Sequence, residues 1–181
     1  SLHDALPICI FVYNKPTLVI ANKYNIEWGE PPINYLSIEM LDAVIVKLKH
    51  KYQIIYNRPL SSQIVSDNSE ILDLNEHVWL KSTHPDVILM NDLFADNQST
   101  ITSFNHLQML VYANCEHFIS VHGGTAALAS CFEGTNIILS KRGIEHALGE
   151  YNTIIPALSG ATILHAKTEL ELMHFLTTHY F

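Results

Sequence analysis

Cations are scarce in this 181-residue chain: ten Lys and Arg stand against 18 Asp and Glu, giving a formal net charge of −8. So little positive charge argues against a nucleic-acid or anionic-membrane surface, and any bound phosphate must be held by local groups. Cysteine is also sparse. Cys9, Cys115 and Cys131 are odd in number and form no C-x-x-C, which argues against a disulfide scaffold and suits buried thiols in a reducing cytoplasm. No apolar run approaches the roughly 20 residues that span a bilayer, so no transmembrane segment is expected. The 11 His residues are scattered, without H-E-x-x-H or a Cys/His ligand pattern. There is no D-x-D pair to hold a metal on a nucleotide diphosphate, so no metal and no cofactor are expected. Glycine, at seven residues, supplies neither G-x-G-x-x-G nor G-x-x-x-x-G-K-[ST].

What is present is a core. Hydrophobic residues make up 48% and charged residues 15%, the balance of a globular domain long enough to bury one. Ser1 to Ile8 has no initiating Met and no basic segment ahead of an apolar one, and resembles translated read-through of a sequencing adaptor. Residues 1–15 are accordingly expected to be a non-native or disordered leader, and 16–181 the domain.

Thr17 to Ala21 is a continuous apolar run of strand length, as in a strand covered on both faces. A long polar and aromatic loop follows, from Asn22 through Pro32. Ser37 caps a predicted helix from Ile38 to about Lys51, whose Met40, Leu41, Val44, Ile45 and Leu48 form one stripe. Tyr52 to Tyr56 is the second strand and ends at Asn57-Arg58-Pro59. Leu60 to Pro85 carries little signal beyond a short helix near Ile71 to Leu74. Asp86 to Met90 reads as a strand, Asn91 to Thr102 as a polar connection, and Ser103 to about Asn114 as a helix. Further strands are expected at His117–Val121, Asn136–Leu139 and Thr162–His165, with helices at Thr125–Phe132 and Thr168 to about Thr178. Strands alternating with helices predict an α/β fold, a doubly wound, mainly parallel sheet of about six strands.

The most informative stretch is Phe118 to Phe132. A strand breaks at His122-Gly123-Gly124, and Thr125 opens an alanine-rich helix. Two glycines admit backbone angles closed to other residues and let a ligand approach the main chain. With Thr125 as N-cap, the free amides at the helix start would receive an anion. The same residues also read as a plain tight turn. Val121-His122-Gly123-Gly124 is faintly like the H-G-G oxyanion segment of esterases, but no G-x-S-x-G serine accompanies it. In a parallel sheet the loops at Asn22–Glu30, Arg58, His122–Thr125 and Lys141–Glu145 fall on one edge. Lys23, Arg58, Lys141 and Arg142 would then make an electropositive pocket for a diphosphate, with Arg binding bidentately. Glu145 would accept from ribose hydroxyls, and His122 would donate to a phosphate oxygen or hold the loop. Trp28 and Tyr24 would stack a base or sugar, or anchor their own loop.

Several segments together resemble the C-terminal, donor-binding half of a GT-B glycosyltransferase. These are Asn22-Lys23-Tyr24, Glu27-Trp28-Gly29, Tyr56-Asn57-Arg58-Pro59, Phe104-Asn105, and Ala113 to Glu116 leading into Ile119 to Gly124. The likeness is distant to family 61, and to uncharacterised polysaccharide-locus and giant-virus glycosyltransferase-like proteins. It implies a Rossmann-like domain and metal-independent transfer of a sugar from a nucleotide diphosphate donor to a glycan or lipid-linked acceptor. It implies too that the catalytic base resides on a separate N-terminal domain, with His122 the candidate within this chain. The location implied is cytoplasmic, or peripheral to a membrane in the full-length protein. Asn22, Lys23, Arg58 and the His122–Thr125 turn would hold the donor. The acidic pair of retaining members cannot be placed. A polysaccharide pyruvyl transferase using phosphoenolpyruvate and a non-catalytic sugar- or nucleotide-binding module are the alternatives.

Overall fold

A computed structural model describes residues 11–27, 29–63, 69–142 and 149–181. The central sheet has six strands, all parallel, in the order β5-β3-β1-β6-β7-β8. These are β1 (Thr17–Ala21), β3 (Gln53–Asn57), β5 (Ile88–Leu89), β6 (His117–Val121), β7 (Thr135–Leu139) and β8 (Thr162–Ala166). A ribbon of β2 (Asn25–Glu27) and β4 (Ser69–Ile71) pairs antiparallel beside it. Seven α-helices lie among the described residues: α1 (Ile38–Leu48), α2 (Glu76–Thr83), α3 (Met90–Asp96), α4 (Phe104–Tyr112), α5 (Gly124–Ser130), α6 (Ile155–Ser159) and α7 (Glu169–His179). This is a doubly wound, Rossmann-like α/β fold.

The continuous apolar strands follow from burial on both faces. In β1, Leu18 and Ile20 enter one core cluster while Val19 and Ala21 enter the other. The first cluster takes Leu41, Val44, Ile45 and Leu48 of α1, Leu80 of α2, and Leu172 and Leu176 of α7. The second takes Met90 of α3, Phe104, Leu107, Leu110 and Val111 of α4, and Ala129 of α5. Alternation along one strand thus feeds two helical layers.

The capped helices begin where their hydroxyls predict. Ser37 accepts from the Met40 amide, Ser103 from the His106 amide and Thr168 from the Glu171 amide. Three expectations need correction. Ile71 to Leu74 is not a helix: β4 ends at Ile71, and α2 starts at Glu76. The polar stretch after Met90 contains α3, so β5 is only two residues long. Neither α2 nor α3 has a side-chain cap, and α2 buries Glu76 while exposing Val78, which breaks its apolar period. Finally, α5 is capped by Gly123 rather than Thr125, whose hydroxyl instead donates to the Val121 carbonyl at 3.4 Å.

Of the expected leader, residues 1–10 lie outside the described set. Phe11 and Tyr13 pack partly buried against the second core cluster, and Lys15 Nζ donates to the Lys49 carbonyl at 2.9 Å.

Candidate functional site

From β1 the chain winds outward through β3 to β5, then returns to lay β6 on the other side of β1. The direction of winding reverses between β1 and β6. In open α/β sheets the crevice outside the carboxyl ends at such a reversal is where ligands bind. Here the two flanking segments are Asn22-Lys23 after β1 and His122-Gly123-Gly124 after β6.

Lys23 and Gly123 meet there. Gly123 has φ +124° and ψ −160°, a region essentially restricted to glycine. A Cβ at Gly123 would lie 3.0 Å from Lys23 Nζ, so the ammonium sits directly against the glycine and a side chain there would crowd it. Beside it Gly124 is exposed, and a Cβ there would meet no described atom within 4 Å. The Lys23 side chain is only 15% exposed, and its Nζ donates to both Glu27 carboxylate oxygens at 2.8 and 2.7 Å.

His122 is buried, and its Nδ1 lies 2.6 Å from Ser140 Oγ at the end of β7. Its ring packs edge-on against Tyr151, 6.0 Å away, and the Tyr151 hydroxyl donates to the Gly123 carbonyl at 3.4 Å. Tyr151 sits in a single π-helical turn, Glu150–Ile154, leading into α6; such turns occur often at functional sites. Ser140 and Tyr151 were not among the residues expected at the site. Ser140 was legible as the residue after a strand, but nothing in the sequence paired it with His122. The position of Tyr151 depends on a π turn that has no sequence signature.

The other expected ligands also have partners within the protein. Asn22 is fully buried: its Oδ1 accepts from the Leu36 amide at 2.9 Å, and its Nδ2 donates to the Leu36 carbonyl at 3.0 Å and the Tyr56 hydroxyl at 3.1 Å. It closes the loop between β1 and α1. Arg58 is 3% exposed; its Nε donates to the fully buried Glu76, its Nη1 to the Leu72 carbonyl, and its Nη2 lies 3.5 Å from Asp73. It neutralises a buried carboxylate. Lys141 Nζ bonds Glu169 at 2.8 Å, and Arg142 stands 3.8 Å from Glu30. Asn34 ties both backbones down, accepting from the Lys141 amide at 2.8 Å and donating to the Arg142 carbonyl.

Each of the four cations expected in the electropositive pocket has a carboxylate partner, Lys23 included. Arg58 is turned into the interior, whereas Asn34 and Glu30 hold the Lys141-Arg142 segment against the same β1–α1 loop that carries Lys23. A chain with 18 acidic residues and ten basic ones has carboxylates to spare for every cation. Tyr24 packs edge-on against Tyr35 at 4.9 Å, within its own loop. Trp28 and Glu145 lie outside the described residues.

Among the described residues no three His, Cys, Asp or Glu side chains are grouped to hold a metal, and no helix is long and apolar enough to cross a membrane. No protein-family model, no curated protein and no solved structure gives a significant match to this chain.

Proposed function

We propose that this domain binds the diphosphate of a nucleotide sugar at the reversal between β1 and β6, as the donor half of a metal-independent glycosyltransferase. The observation that carries the reading is the Lys23 ammonium lying 3.0 Å from the missing Cβ of Gly123. An ammonium beside bare main chain at a ligand crevice suits a phosphoryl oxygen, which would take a charge-assisted hydrogen bond from Lys23. The resemblance of the segments around Asn22, Arg58 and His122 to GT-B enzymes supplies the substrate class. The same contact would stabilise charge developing on the departing nucleoside diphosphate as the sugar is transferred. His122, bonded to Ser140, holds the turn, and the catalytic base belongs to a further domain. The acceptor is a glycan or a lipid-linked sugar, and the full-length protein works in the cytoplasm or at a membrane face.

Calorimetric titration with UDP, GDP, phosphoenolpyruvate and free glycans tests this. A nucleoside diphosphate should bind, and Lys23→Gln should weaken it by about 2 kcal/mol, roughly thirtyfold, the order expected for one charge-assisted hydrogen bond. Binding of phosphoenolpyruvate alone would favour the pyruvyl transferase alternative. Glycan binding unaffected by Lys23→Gln would favour a non-catalytic module.

A further inference from the structure

Glu27 lies on β2, four residues beyond Lys23, and its main chain is placed without help from its carboxylate. It pairs opposite Ser69 in the β2–β4 ribbon and exchanges backbone hydrogen bonds with Glu30 at 3.2 and 3.0 Å. The carboxylate then falls with both oxygens on Lys23 Nζ, at 2.8 and 2.7 Å. The ammonium lies between Gly123 and this carboxylate, while the Glu27 side chain remains 41% exposed. A second anion reaching Lys23 must displace or outcompete a partner that the backbone keeps in place.

Resting on the reading of Lys23 as the cation that receives the ligand, we propose that Glu27 is a specificity determinant of this site. Its carboxylate takes the anion position beside the Lys23 ammonium, so that ligands richer in negative charge than a single carboxylate are preferred. Exchanging one singly charged oxyanion for another at the same ammonium is nearly even in energy. The displaced Glu27 also stays close and repels the newcomer. A diphosphate brings more charge and more acceptor oxygens to the ammonium and the bare Gly123-Gly124 backbone, so its exchange is favourable. The site thereby selects diphosphates most sharply over carboxylates, and to a smaller degree over monophosphates, whose charge of about −1.5 to −2 lies between the two. It does so with one basic side chain in a chain holding only ten.

The test is calorimetric titration of wild type, Glu27→Gln, Glu27→Ala and Lys23→Gln with inorganic pyrophosphate and inorganic phosphate. Glu27 is partly exposed, and urea unfolding of each variant checks that the fold is kept. Both Glu27 variants should bind more tightly, pyrophosphate by about threefold and phosphate by about tenfold, so that the preference for pyrophosphate shrinks. Unchanged affinity for both anions would overturn the proposal. So would weaker binding in Glu27→Gln, which would mean that the carboxylate accepts a hydrogen bond from the ligand complex. If pyrophosphate binds neither wild type nor Glu27→Gln, or binds Lys23→Gln as well as wild type, the Lys23 reading itself fails.

Discussion

Arg58 offers the sharpest test of how this domain is held together. The guanidinium is 3% exposed and its partner Glu76 is wholly buried, so the pair sits beyond the reach of solvent ions. Glu76 Oε1 accepts from Arg58 Nε and from the Tyr56 hydroxyl at 3.1 Å, and Tyr56 in turn receives the Asn22 amide. Replacing Arg58 by Ala leaves the Glu76 carboxylate buried without the guanidinium that faces its Oε1, with His77 at 3.5 Å as the nearest remaining basic side chain recorded beside it. Stranding a buried charge costs about 3–5 kcal/mol. For a domain whose total stability is on the order of 5–15 kcal/mol this is a large fraction, equivalent to roughly a 10 °C fall in Tm. Urea denaturation of Arg58→Ala, Glu76→Leu and the double variant measures it. The double variant should be less destabilised than the two single losses combined by about 2 kcal/mol, because each single variant leaves one charge without its partner. A cost for Arg58→Ala under about 1 kcal/mol, or one that vanishes with added salt, would show a solvent-reached pair and refute the argument. The consequence for function is practical: loss of ligand binding in Arg58→Ala would report a damaged fold unless stability is measured beside it.

The remaining predictions concern packing and protonation. Gly134 has φ +113°, and a Cβ there would lie 2.3 Å from the Glu116 carbonyl oxygen, so Gly134→Ala should lower stability by about 3 kcal/mol or more in urea titrations. Burial pushes the Cys115 thiol from 9 up to about 12, so it should resist alkylation in the native state, while exposed Cys131 reacts; a Cys9→Ser background makes the count clean. The same shift makes stability alkali-sensitive. The unfolded thiol ionises near 9 and the folded one near 12, so its contribution of up to about 4 kcal/mol is present below pH 9 and disappears between those values. Burial also raises Tyr56, Tyr112 and Tyr180, which act in the same direction, and denaturation midpoints should fall steeply above pH 9. At the acid end, burial lowers His77 and His117 below 6.5, so folding resists their protonation; stability held above pH 6.5 should be lost as pH falls through the folded values.

The fold was legible wherever one residue's environment is set by its neighbours in sequence. Unbroken apolar runs such as Thr17–Ala21 gave strands covered on both faces, and Ser37, Ser103 and Thr168 marked helix starts, because burial and capping are local patterns. Where tertiary partners supply the stabilisation, the pattern fails. Glu76 is buried in α2 because Arg58, eighteen residues earlier, neutralises it, and no periodicity rule admits a carboxylate there.

The site divides along the same line. The sequence by itself determined that a glycine pair follows a strand, and that Lys23, Arg58, Lys141 and Arg142 follow strands on the same edge of a parallel sheet. Only the tertiary structure decided which of them meet. Strand order put the β1 and β6 loops side by side, bringing Lys23 onto Gly123, and Asn34 and Glu30 tied the Lys141-Arg142 segment to the β1–α1 loop, while Arg58 was drawn inward by Glu76. Charge pairing acts over a few ångströms between residues far apart in the chain, so it is settled by packing and not by sequence spacing.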